Sequence, residues 1–172
     1  EFGGLYTSHI RDESNYTVGL VAAVNEVIEI AEANGMIGIV SHMKALGPDN
    51  WGLSVAATTR LDEARRRGVE VYADQYPYEA SSTGLSAALL PRWAQAGGPG
   101  RLRRRLADSE TRIRVVRAMR DNLRRRGGAE AIVVAFYQAD PQLEGKTLLE
   151  IAEERGQPAV ETALDLIARG RV

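Results

Sequence analysis

The chain contains no cysteine, which removes disulfide frameworks and thiolate metal sites from consideration. Histidine is nearly as scarce, with two in 172 residues, so any imidazole chemistry falls on His9 and His42. No apolar run approaches the roughly 20 residues that span a bilayer, and no secretory signal opens the sequence. A cytoplasmic setting without membrane partners is therefore expected. Charge of one sign is also missing in aggregate: the net charge is −1, with 44% hydrophobic and 26% charged residues. That composition suits a globular protein with one good core and is short for two. The opening "EFGG", without Met, and the ending "ARGRV" give the expectation of a piece of a longer polypeptide.

The near-neutral total hides one basic stretch. Between Arg101 and Arg126, eleven arginines stand against Asp108, Glu110 and Asp121. Nucleic acid is one partner for such a stretch, but it holds no aromatic residue to stack on bases. Val115, Met119 and Leu123 recur every four residues with Val116 beside them, so the arginines fall on the other faces of a helix. The expectation is a solvated or domain-packing helix, not a nucleic-acid surface.

What is present is a rhythm. "GLYTSH", "MIGIVSH" and "VEVYADQYPY" read as strands, the second with the continuous apolar character of a parallel sheet. Between them lie two helical patterns. Leu20, Val24, Val27, Ile28 and Ala31 mark the first, with Thr17 as cap and Asn34-Gly35 as terminator. Leu53, Ala56, Ala57, Leu61 and Ala64 mark the second, with Asn50 as cap and Gly68 as stop. His9, His42 and Tyr76 recur at intervals of 33 and 34 residues, so the repeat is a βα unit. Parallel strands joined by right-handed crossovers build a doubly wound sheet or a closed barrel. In the barrel, chemistry sits where the strands run into their following loops.

Three segments follow: βα units over 1–83, a helical insertion or lid over 84–128, and a return to strand and helices over 129–172. In the last, "EAIVVAFY" reads as a strand and Thr147 with Glu150 as a capping box. Pro158 opens a final helix whose apolar face is Val160, Ala163, Leu164 and Ile167.

Both histidines occur in Ser-His phrases, "YTSHIRDE" and "GIVSHMKAL", at equivalent strand ends. Such a histidine can simply satisfy a carbonyl. Two on neighbouring strands, about 4.8 Å apart, can converge on one ion, although a catalytic zinc takes three protein ligands. Lys44 and Arg11 each follow a histidine by two, and cations beside a metal suit an anionic group such as a carboxylate. Surface ion pairing with Asp12, Glu13 or Asp49 is the alternative for both.

"YTSHIRDE", "GIVSHMKALGPDNWG", "DQYPYEASST", "LPRWAQAGG" and "LEGKTLLEIAEERGQPAVETALDLI", in this order, resemble the central part of the N-acyl-D-amino-acid deacylases, the D-aminoacylase family of the amidohydrolase superfamily. The resemblance implies part of a (β/α)₈ TIM-type metal-dependent hydrolase barrel with a helical insertion over its mouth. It implies zinc bound by His9 and His42, and a substrate carboxylate held by Lys44, Tyr76 and Ser82, whose ammonium, phenol and hydroxyl all donate hydrogen bonds. The family's His-x-His pair, cysteine ligand and general-base aspartate have no counterpart here. They are expected outside this chain, in the remainder of the barrel, and Asp74 does not stand where that aspartate belongs. The reaction implied is hydrolysis of an N-acyl-D-amino acid, with this chain inactive alone. Two alternatives stay open: a cyclic-amide hydrolase of the dihydroorotase or hydantoinase type, and a non-catalytic α/β interaction module.

Overall fold

A computed structural model describes residues 3–170 and 172. The chain divides into two compact units, Glu1–Glu79 and Ala80–Val172, each with its own apolar core.

The first unit alternates strand and helix: β1 (Leu5–Ser8), α1 (Leu20–Asn34), β2 (Ile37–Val40), α2 (Leu53–Arg66) and β3 (Val71–Ala73). The strands form one parallel sheet in the order β1-β2-β3. Thr7 stands opposite Ile39 and Ile39 opposite Tyr72. The expected α/β class with parallel strands is what the structure shows. All five apolar positions anticipated for α1 are buried. Gly35 closes α1 in the left-handed conformation, its N–H turned to the carbonyls of Ala31 and Glu32. Three residues later Gly38 lets α1 approach β2 closely. A Cβ there would stand 2.9 Å from Ala31 Cβ and 3.3 Å from a Val27 methyl.

Several expectations yield to the structure. Thr17 does not cap α1; Gly19 occupies that position, and Thr17 donates its N–H and hydroxyl to the Asp12 carboxylate. Asn50 does not cap α2 either. It is buried, and its amide donates to Ser14 Oγ and Leu46 O, tying the two loops that follow β1 and β2. On α2, Ala57, Leu61 and Ala64 face inward, whereas Leu53 and Ala56 are exposed. β3 ends at Ala73, so Tyr76 lies beyond the strand.

The second unit is helical: α3 (Leu85–Leu89), α4 (Arg92–Gln95), α5 (Gly98–Ala107), α6 (Ser109–Arg125), α7 (Leu148–Arg155) and α8 (Ala159–Arg169). The Gly97–Gly100 breaker serves as the start of α5, with Pro99 in its first turn, where a missing N–H costs nothing. Val115, Val116 and Met119 are buried on α6, as their spacing anticipates. Several arginines pack inside the unit: Arg126 donates to Ala88 O at 3.0 Å, Arg105 to Ala94 O at 2.9 Å, and Arg112 pairs with Glu161. The segment "EAIVVAFY" does not become a strand. It makes an isolated antiparallel bridge, Val133 with Thr147, leaving Val133 and Phe136 exposed while Val134 and Tyr137 enter the core. The capping box at α7 is present in both directions, Thr147 to Glu150 and back. Among the described residues no helix is long and apolar enough to cross a membrane.

Candidate metal and carboxylate site

The carboxyl ends of the three strands carry the first unit's chemistry. Ser41 N donates to Ser8 O at 3.0 Å and Asp74 N to Val40 O at 3.1 Å, so the parallel pairing extends past each strand to the turns bearing His9, His42 and Asp74. Equivalent points on paired parallel strands lie side by side, which places the two imidazoles together. Their ring centroids are 4.3 Å apart with planes tilted by 46°. His9 Nδ1 and His42 Nε2 face one another.

Two imidazole nitrogens in that arrangement repel when both present lone pairs, unless a proton or a cation lies between them. Neutral imidazole nitrogen is a zinc donor, so the donor chemistry fits one edge of a zinc site. Among the described residues no third histidine or carboxylate joins them in a metal-holding group.

His42 is held in an unusual conformation. Its φ of 43° makes it the single non-glycine residue with positive φ among those described. A side chain there costs about 1–3 kcal/mol unless its surroundings compensate. Asp74 supplies compensation: its Oδ1 accepts the His42 N–H at 2.6 Å, and its carbonyl accepts Met43 N–H at 2.9 Å. At the ring, Glu13 Oε1 lies 2.8 Å from His42 Nδ1.

Lys44 joins the same cluster. Its Nζ donates to Glu13 Oε1 at 2.5 Å and to His42 O at 2.8 Å, and stands 2.8 Å from His42 Nδ1. The ammonium also lies 5.6 Å from the centroid of the Tyr76 ring, within cation–π range. The structure thus brings His9, His42, Lys44 and Tyr76 into one array at the strand ends, with Glu13 in contact with both His42 and Lys44. Glu13 is anchored through its backbone, whose carbonyl accepts Leu46 N–H at 2.8 Å. Arg11 Nε pairs with Glu26 on α1 at 2.9 Å. Ser82 lies in the second unit, exposed, in the segment before α3.

Next to Glu13, Asp12 is buried at 2% exposure and accepts from Ser14 N at 2.9 Å, Thr17 N at 2.5 Å and Gly19 N at 3.0 Å. Burial pushes its carboxyl pKa up, but the backbone donors of Thr17, Gly19, Ser14 and Tyr16 outweigh that. The net effect is a pKa below the ordinary aspartate value. The loop that presents Glu13 is therefore built on a buried anion.

Neither Glu13 nor Asp74 is legible as a supporting residue in the sequence. Glu13 was visible only as an ion-pair partner, and Asp74 only as a strand-end carboxylate. A side chain that accepts from a backbone N–H on another strand leaves no spacing to read.

Comparison with known proteins adds family context. No protein-family model matches the chain. It is 44% identical over 81 residues, 47% of its length, to an N-acyl-D-glutamate deacylase of Alcaligenes xylosoxydans xylosoxydans, covering 16% of that protein. It is 28% identical over 170 residues, 99% of its length, to a D-aminoacylase of the same organism, covering 27%. A solved structure of N-acyl-D-glutamate deacylase from Bordetella bronchiseptica is also similar. It is complexed with zinc and a phosphonate inhibitor that mimics the tetrahedral intermediate, and it matches with a TM-score of 0.65 at 31% identity, over 98% of this chain and 27% of that one. The chain spans about a quarter or less of the length of these relatives.

Proposed function

This chain belongs to the D-aminoacylase family, and from that premise we propose that the protein carrying it is a zinc-dependent hydrolase of N-acyl-D-amino acids. Water adds to the acyl carbon, the C–N bond breaks, and a carboxylic acid and a free D-amino acid result. The observation that carries this reading is the convergence of His9 Nδ1 and His42 Nε2 beside the Lys44 ammonium. The barrel of which β1, β2 and β3 are three strands, and the role of residues 84–128 as an insertion over its mouth, belong to the same proposal.

His9 and His42 hold the metal from adjacent strands. Bound zinc supplies Lewis-acid polarisation of the acyl carbonyl and a water that ionises near neutral pH. Lys44 takes the substrate carboxylate. An ammonium has three donors, and Lys44 directs them to Glu13, to His42 O and towards His42 Nδ1. A substrate carboxylate therefore enters by replacing one of these contacts, which keeps the lysine ordered before binding. Tyr76 and Ser82 are the two further donors that the resemblance assigns to that carboxylate. Fixing the carboxylate and the acyl carbonyl at separate points leaves room for the side chain of one enantiomer only. The general base is an aspartate outside this chain.

The test uses the protein that contains this segment. N-acetyl-D-glutamate or N-acetyl-D-methionine should be hydrolysed and the L enantiomers left intact. His9→Ala and His42→Ala should each lower bound zinc, and Lys44→Ala should chiefly raise KM. Unchanged zinc content in both histidine variants would end the metal assignment. Turnover of dihydroorotate in preference to these substrates would favour the cyclic-amide alternative.

A further inference from the structure

We propose that Asp74 is a positioning residue for His42, holding a metal ligand in a backbone conformation it would not otherwise keep. The inference rests on the zinc reading of His9 and His42 and deepens it. Four observations converge. His42 has φ 43°, where a side chain crowds its own carbonyl. Its N–H is not spent on the sheet; it donates to Asp74 Oδ1 at 2.6 Å, a charge-assisted bond. Asp74 is itself fixed, since its N–H reaches Val40 O at 3.1 Å and its carbonyl receives Met43 N–H at 2.9 Å. Ser41 Oγ lies 3.4 Å from the same carboxylate oxygen, so the turn is gripped on both sides of the peptide entering His42.

The geometry explains why the turn takes this form. β2 ends at Val40, and a continued strand would carry residue 42 along the sheet direction. The left-handed step at His42 turns the chain there, while Met43 keeps its bond to the neighbouring strand end. In that posture Nε2 faces His9 Nδ1. The Asp74 carboxylate on β3's trailing end thus sets the direction of a ring whose partner belongs to β1, across the width of the sheet.

Hydrogen exchange and the coupling constant are read on this chain, and zinc affinity on the protein that contains it. In the wild type, without metal, the His42 amide should show slowed hydrogen exchange and a coupling constant consistent with positive φ. In Asp74→Ala both signatures should vanish, and zinc affinity measured by chelator competition should fall about tenfold to a hundredfold, the usual penalty for removing an outer partner of a metal ligand. Asp74→Asn keeps an acceptor oxygen and should restore affinity to within about threefold of wild type. A purely stabilising role would lower the denaturation midpoint of Asp74→Ala while leaving zinc affinity under native conditions unchanged, and that result overturns the proposal. So does an unprotected His42 amide in the wild type, which requires no variant to fold. Absence of zinc uptake by the wild-type protein that contains this chain would count against the deacylase reading. The amide measurements would then still decide the role of Asp74.

Discussion

At the scale of single residues, the loops around the two histidines are held by carboxylates that accept backbone N–H groups. Asp12 is the clearest case. It is depressed below its ordinary value of 3.8 because backbone donors outweigh its burial. A folded pKa below the unfolded one means that protonation favours unfolding. The stability contributed by Asp12 is complete above about pH 4 and disappears as pH falls through the depressed folded value. Asp12→Asn should therefore cost about 1–3 kcal/mol near neutral pH, since an amide replaces an anion facing several backbone N–H groups. The gap in urea midpoints between wild type and variant should close below about pH 4. A gap that persists undiminished through the acid limb would show that the charge of Asp12 is not what holds the loop.

At the scale of elements, the contact between α1 and β2 is set by a missing atom. Gly38 faces Ala31 and Val27, and the nearest atom to an added Cβ is the Ala31 Cβ, which cannot rotate away. Gly38→Ala should lower unfolding free energy by about 1–3 kcal/mol through overpacking, read from urea denaturation. A neutral outcome would show that α1 can slide on the sheet. The buried face of α1 was legible in the sequence because a period of 3.6 over fifteen residues has few other readings. Its cap was not, because Thr17 has the right chemistry and the right offset yet is drawn into the Asp12 cluster. The segment "EAIVVAFY" failed as a strand for a different reason. Its composition suits a sheet, but a strand also needs a neighbour to pair with, and among the described residues the segment makes an isolated bridge to Thr147. The capping box of α7 succeeded because both of its hydrogen bonds are local.

At the scale of the whole molecule, what the sequence revealed about function lay in repetition. Two Ser-His phrases one βα unit apart predict adjacent strand ends, and parallel register then brings the rings together. The supporting carboxylates Glu13 and Asp74 stayed hidden because they act across strands, at separations fixed by the fold and by no local spacing. If His9 and His42 share one ion, as proposed, a zinc titration of the protein that contains this chain, followed by the side-chain ¹⁵N resonances of both imidazoles, will show it. Both rings should shift together along one binding curve, and either His→Ala variant should abolish the response of the remaining ring. Two independent curves, or one ring responding while the other stays unchanged, would contradict it.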